Sequence, residues 1–142
     1  MTIVGFNFTK INAEKKGVPK GKININNNVS IKNVEEKKLS LSNDKQKVLS
    51  FNFEFLAKYD PNVGSISING DVLFMDETKK AKEVMDGWKK DKKLPKEIMP
   101  GILNTVLNKC NIQALILSEQ INLPPPIPLP KLQVAQPEEK KD

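Results

Sequence analysis

Cys110, a small group of carboxylates and a pair of glycines beside a lysine are the residues of this chain whose types could carry chemistry. Each falls short of what that chemistry needs. The sequence contains no histidine, which removes the commonest general base, the Ser-His and Cys-His nucleophile pairs and the usual imidazole metal ligand. Cys110 is the single cysteine, so it forms no disulfide within the chain and no thiolate metal site, and only an unusual neighbour such as Lys109 could activate it. A buried helix position is the simpler reading, and a lone thiol agrees with a reducing compartment. Asp71, Asp76 and Glu77 gather near one expected strand end, where acids after a hairpin more often cap the next helix or stay solvated than hold Mg²⁺. Gly17 and Gly21-Lys22 faintly resemble a phosphate loop. Only three residues separate the glycines, however, Ile23 stands where a Ser or Thr would hold magnesium, and a strand follows instead of a helix. These residues read as a flexible crossover, and the chain reads as non-enzymatic, with no cofactor and no metal site.

The charge invites a different reading. A net charge of +6 from 23 basic against 17 acidic residues suggests a polyanion partner, yet every basic residue is lysine. The bidentate fork that reads guanine edges and phosphates is therefore missing, as is guanidinium stacking on bases. A solvated lysine surface is favoured over nucleic-acid binding. No run approaches the roughly 20 apolar residues of a membrane span, and the N-terminal residues lack the basic segment and apolar core of a secretory signal. The expectation is a cytoplasmic protein with no membrane partner. At 142 residues the chain is long enough for one modest core. We read residues 1–130 as a single domain and 131–142, which end in Pro-Glu-Glu-Lys-Lys-Asp, as a disordered tail.

The elements that build that domain are set out by periodicity. From Leu49 to Tyr59 the odd positions are apolar or aromatic and the even ones polar except Leu56, the period-2 pattern of a half-buried strand. Asp60-Pro61-Asn62-Val63-Gly64 then supplies the chemistry of a hairpin connection. In the returning arm Ile66, Ile68, Val72 and Phe74 share one face, with Gly70 among them where a bulge or a close backbone approach is expected. Thr2–Ile11 and Lys22–Ile31 read as two earlier strands, and Asn33–Gln46 either extends the second or loops out. Local connections favour a four-stranded antiparallel meander.

After Asp76 the period changes. Ala81, Val84, Met85 and Trp88 form one apolar stripe of a helix from about Glu77 to Lys92. Pro100 suits the first turn of a second helix running to about Glu119. The stripe of this helix is Leu103, Val106, Leu107, Cys110, Ala114, Leu117 and Ile121, while Ile102, Ile112, Leu115 and Ile116 add a second apolar surface that one sheet cannot cover. The helix is thus expected to touch its own sheet and another subunit. Ile102, Val106, Ile112, Leu115 and Ile116 are the expected oligomer contacts. The fold class is α+β, a four-stranded antiparallel sheet followed by two helices. Leu123–Pro130 carries proline at five of eight positions, so it is extended, largely polyproline II. We read it as an apolar strap across the protein's own surface in preference to an exposed ligand segment.

This order of elements resembles the SecB family of export chaperones. Ile68-Asn69-Gly70-Asp71-Val72-Leu73-Phe74 is similar to that family's fourth-strand segment. Met99-Pro100-Gly101-Ile102-Leu103 resembles the proline-led start of its long helix, and Ile121-Asn122-Leu123-Pro124-Pro125-Pro126-Ile127 resembles its closing leucine-proline segment. The resemblance spans about Thr2 to Pro130. It implies an ATP-independent holdase, a homo-oligomer built as a dimer or a dimer of dimers, that binds non-native polypeptides in apolar grooves, with protein export as its setting. The residues expected to meet clients are Phe51, Phe53, Phe55, Ile66, Ile68, Phe74, Ile127 and Leu129, although for each the plain alternative is an ordinary core role. The main competing function is a non-enzymatic interaction or assembly module with one dedicated partner.

Overall fold

Four strands, β1 (Thr2–Lys15), β2 (Asn24–Lys37), β3 (Gln46–Asp60) and β4 (Gly64–Glu77), precede two helices, α1 (Thr78–Asp91) and α2 (Met99–Gln120). This computed structural model describes residues 2–18, 21–38 and 46–127. The strands make one antiparallel sheet in the order β1-β4-β3-β2. The helices pack with one face of it into a single core, which is the α+β arrangement expected.

β3 and β4 form the centre because their alternation is the cleanest in the chain. Phe51, Phe53, Phe55, Ala57 and Tyr59 on β3 and Ile66, Ile68, Val72 and Phe74 on β4 are all at most 1% exposed. Directly opposed residues share a face, and the register sets Phe51 against Val72 and Phe55 against Ile68. The Phe51 and Phe74 rings meet edge-to-face at 5.8 Å. Gly70 is the close approach anticipated at this strand. A Cβ there would overlap the Asn7 carbonyl oxygen of β1 and come within 2.7 Å of the Phe53 ring.

The sheet is not the meander that local connections favour. β1 lies beside β4, with Phe6 opposite Val72 and Ile11 opposite Ile68, and the chain then crosses the end of the β3–β4 hairpin to begin β2 at the far edge. The crossing is fastened to that hairpin. The N–H groups of Lys16 and Gly17 both donate to the Val63 carbonyl, at 2.7 and 3.3 Å. Adjacency of consecutive strands is a tendency, and here the Phe6 ring gains a stack on Phe53 at 5.2 Å. Both outer strands also run beyond their apolar stretches. Asn12–Lys15 pair with Ser67–Gly64, and Asn33–Lys37 pair with Asn52–Val48. Ladder pairing uses backbone groups alone, so polar edge residues satisfy it equally well.

α1 buries Ala81, Val84 and Trp88 and ends in a left-handed cap at Lys92, whose N–H donates to the Trp88 carbonyl at 2.9 Å. α2 is continuous over 22 residues, about 33 Å. Its inward stripe is Ile102, Val106, Cys110, Ala114 and Ser118, spaced by fours, so Ile102 belongs to the core-facing side and not to the second surface. Beyond α2 the chain turns back. Leu123 is buried, the Tyr59 hydroxyl donates to the Pro124 carbonyl at 2.6 Å, and Asn27 Nδ2 donates to the Pro126 carbonyl at 2.7 Å. Leu123–Ile127 therefore lies as a strap across the end of the sheet, passing β4, β3 and β2 in turn. Leu129, Pro130 and the tail at 131–142 lie outside the described residues.

Candidate functional site

The groups with chemical potential are occupied by structure. Cys110 is fully buried in the core-facing stripe of α2, and burial pushes its thiol up to about 12, so it is a neutral packing residue at ordinary pH. Asp71 accepts a hydrogen bond from Asn52 Nδ2, and Asp76 Oδ1 accepts one from the Glu77 N–H at 2.8 Å, where the chain enters α1. No group of three or more His, Cys, Asp or Glu residues fit to hold a metal occurs among the described residues.

The expected client residues are placed unevenly. Phe51, Phe53, Phe55, Ile66, Ile68 and Phe74 are at most 1% exposed, so in the isolated chain they face its own helices and build the core. Ile127 is half-buried at the end of the strap, and Leu129 falls outside the described residues. The expected oligomer contacts divide similarly. Ile102 and Val106 are spent on the chain's own sheet, Leu115 is half-buried, and Ile112 and Ile116 are open to solvent at 61% and 48%.

Two open apolar surfaces are present instead, one on each side of the helical layer. The first is a groove of about 180 Å³ lined by Val29, Ile31, Trp88, Leu94, Met99 and Leu103, with Ser30 and Lys92 at its margin. Its position follows from the topology. Among the described residues β2 is an edge strand, and Val29 and Ile31 stand opposite Phe55 and Phe53, hence on the helix side, with no further described strand beyond them to complete the layer. Trp88 forms one wall. The residue is 6% exposed, the Lys92 ammonium lies 5.5 Å from the ring centre, and the buried indole Nε1–H has no acceptor among the described residues. A buried donor left unpaired costs about 1–3 kcal/mol. The outer edge of β2 adds a row of backbone groups suited to an extended polypeptide.

The second surface joins β1 to the outer side of α2. Ile3, Phe8 and Ile11 are 38%, 37% and 42% exposed, and their registers opposite Phe74, Gly70 and Ile68 place them on the helix side. Lys109, Ile112 and Ile116 fall on one stripe of α2, and the Lys109 ammonium sits 5.9 Å from the Phe6 ring. A shallow hollow of about 370 Å³ between Leu115, Ile116, Leu123 and Pro125 continues this surface toward the strap. The residues of β1 and of the β2 groove were not singled out from sequence. Their alternation was visible, but the strand order that leaves both at an edge was not.

An antiparallel sheet of four strands followed by a short helix and a long proline-led one is an α+β arrangement, and it matches that of a solved SecB-like chaperone. Among solved structures the chain is similar to the Mycobacterium tuberculosis Rv1957 SecB-like chaperone, determined in complex with a ChAD peptide from the Rv1956 HigA1 antitoxin. The TM-score is 0.52 and the identity 12%, over 93% of this chain and 89% of that one. At that identity the likeness speaks for the fold. No protein-family model matches the sequence, and no curated protein does.

Proposed function

We propose that this protein is a non-enzymatic, ATP-independent holdase that binds extended apolar segments of non-native polypeptides. The observation that carries the reading is the groove at the β2 edge, apolar on its walls and open at one side. Non-directional apolar contacts accept many sequences, and a folded client has already hidden the matching residues. The SecB-like fold supports a chaperone role, and the similar structure is of a chaperone holding a peptide. No helix among the described residues is long and apolar enough to cross a membrane, and we place the protein's work in the cytoplasm, in keeping with its lone, buried thiol.

The second apolar surface fits self-association. Soluble chains rarely leave contiguous apolar area of this kind open, and a two-fold contact through β1 and α2 would cover Ile3, Phe8, Ile11, Ile112 and Ile116 on both copies. We propose a homodimer through this surface, with a dimer of dimers as the larger form. Protein export is the setting that the SecB-like fold suggests.

The deciding experiment asks whether the purified protein, at stoichiometric amounts and without nucleotide, keeps several unrelated denatured proteins from aggregating, with mass followed by light scattering. Protection is expected, and Val29→Lys in the groove wall is expected to abolish most of it while the oligomer persists. Protection of no unrelated protein by well-folded material would overturn the holdase reading in favour of a dedicated-partner module.

A further inference from the structure

A single charge stands in the groove at the β2 edge. Of the described residues that line it, Lys92 alone is charged, and it is exposed, with its ammonium 5.5 Å from the centre of the Trp88 ring. The backbone holds it there. Lys92 is the left-handed cap of α1, at φ 56°, and its N–H donates to the Trp88 carbonyl, so the root of the side chain is fixed about one helical turn from the indole. The surroundings add to that charge. Between Trp88 and Glu97 the chain carries Lys89, Lys90, Lys92, Lys93 and Lys96 against Asp91 and Glu97, all of them exposed, and Glu97 lies 3.9 Å from Lys80. Lys89 and Lys90 fall in the last turn of α1, where they complement its carbonyl end. The other walls bring no compensating acid. α2 supplies Met99 and Leu103 and has no charged residue before Lys109, and Glu54, near the β2 side, is engaged by Lys32 at 3.4 Å. Among the described residues no ion pair involves Lys92.

A segment entering the groove therefore meets apolar walls and a positive rim. An uncharged apolar segment gains the walls alone. A lysine or arginine beside its apolar residues would face like charge, whereas a glutamate or aspartate would pair with the Lys92 ammonium. We propose that the groove selects apolar polypeptide segments flanked by acidic residues, with Lys92 as the residue that reads the carboxylate. The inference rests on the reading of the groove as a polypeptide site and adds the class of segment that the site prefers. One exposed ion pair changes affinity about two- to fivefold. Comparing an acidic with a basic flank counts attraction and repulsion together, so about four- to twenty-fivefold separates the two.

The test is calorimetric titration of the full chain with three synthetic peptides, acetylated and amidated, that share the core Leu-Val-Phe-Leu-Val and carry paired Glu, Gln or Lys residues on each side. The expected order from tightest to weakest is Glu, Gln, Lys, with the steps given above, and the differences should collapse at about 1 M salt, where the Debye length is about 3 Å. Lys92→Glu should reverse the order, and Lys92→Gln should flatten it. Lys82→Glu makes the same change of net charge on α1 outside the groove lining and should leave the order as it was. Equal binding of the three peptides overturns the selectivity and leaves the polypeptide groove standing. An order that Lys82→Glu alters as much as Lys92→Glu does also overturns it, because the field of the whole molecule would then be responsible. So does a short oligonucleotide bound as tightly as the Glu-flanked peptide, which would assign the lysines to a polyanion. Binding of none of the three peptides overturns the inference together with the reading of the groove.

Discussion

Replacing Tyr59 with phenylalanine removes one hydroxyl and tests how the strap is held. Tyr59 is the only tyrosine, it is 1% exposed, and its hydroxyl donates to the Pro124 carbonyl at 2.6 Å. Below the titration range the substitution should cost about 0.5–1.5 kcal/mol, the net worth of a neutral hydrogen bond. Burial pushes the phenol from 10.0 up to about 12, and that shift has a sign. The folded state holds the proton more tightly than the unfolded one, so the contribution is complete below about pH 10 and is lost as pH rises from 10 toward 12. Two units correspond to about 2.7 kcal/mol at most. Tyr59→Phe escapes that loss, and the remaining titrations are common to both proteins. The variant should therefore be less stable near neutrality and overtake the parent in the lower half of the interval, between about pH 10 and 11. Urea unfolding followed by Trp88 fluorescence gives the stabilities, and near-ultraviolet absorbance of the single tyrosinate gives the ionisation directly. Stability curves that stay parallel across this interval would refute the reasoning, because the phenol would then titrate alike in both states.

Other substitutions probe the remaining contacts. Gly70→Ala drives a methyl into the Asn7 carbonyl and the Phe53 ring, and it should cost about 3 kcal/mol, the upper end of ordinary overpacking, read from the denaturant midpoint. Asn27→Ala removes the bond to Pro126 and should cost about 1 kcal/mol; faster hydrogen exchange should appear in the strap and not in α1. Cys110 should react with a thiol reagent only as fast as the protein opens, given its burial and raised thiol, and native-state reaction at the rate of a free thiol would contradict that placement. Ile112→Asp with Ile116→Asp should lower self-association in sedimentation experiments while shifting the melting temperature by only a few degrees, since both side chains are exposed in the single chain.

How far the sequence could be read depended on which interactions repeat locally. The β3–β4 hairpin and α1 were legible because their burial follows periods of 2 and 3.6, apart from Val48 and Ser50, which are buried on the other face at the start of β3, and Gly70 interrupts the first where a neighbour's backbone needs the space. The position of β1 was not legible. Nothing in Thr2–Lys15 distinguishes pairing with β4 from pairing with β2, since the ladder is built from backbone groups that every residue owns. That single uncertainty reaches the candidate site. With β1 beside β4, β2 becomes an outer strand, and Val29 and Ile31 change from interior residues of a meander to the wall of an open groove. Aromatic strand residues such as Phe51 and Phe53 drew attention for the same reason that the structure buries them: large apolar side chains are wanted both by clients and by a core. For α2 the two-sided character was visible, and only the side taken by Ile102 required coordinates.

The strap's two anchors lie 65 and 99 residues from their partners. On a ribosome adding roughly 5–20 residues per second, the sheet is fully synthesised at Glu77, about 2–9 s before Pro124 exists. During that interval the end of the sheet is bare, and the apolar surface that the strap will cover is available to any neighbouring nascent segment. A protein of this design passes through its stickiest moment late in its own synthesis, and slowing translation between α2 and the strap should increase its aggregation more than slowing it within the hairpin.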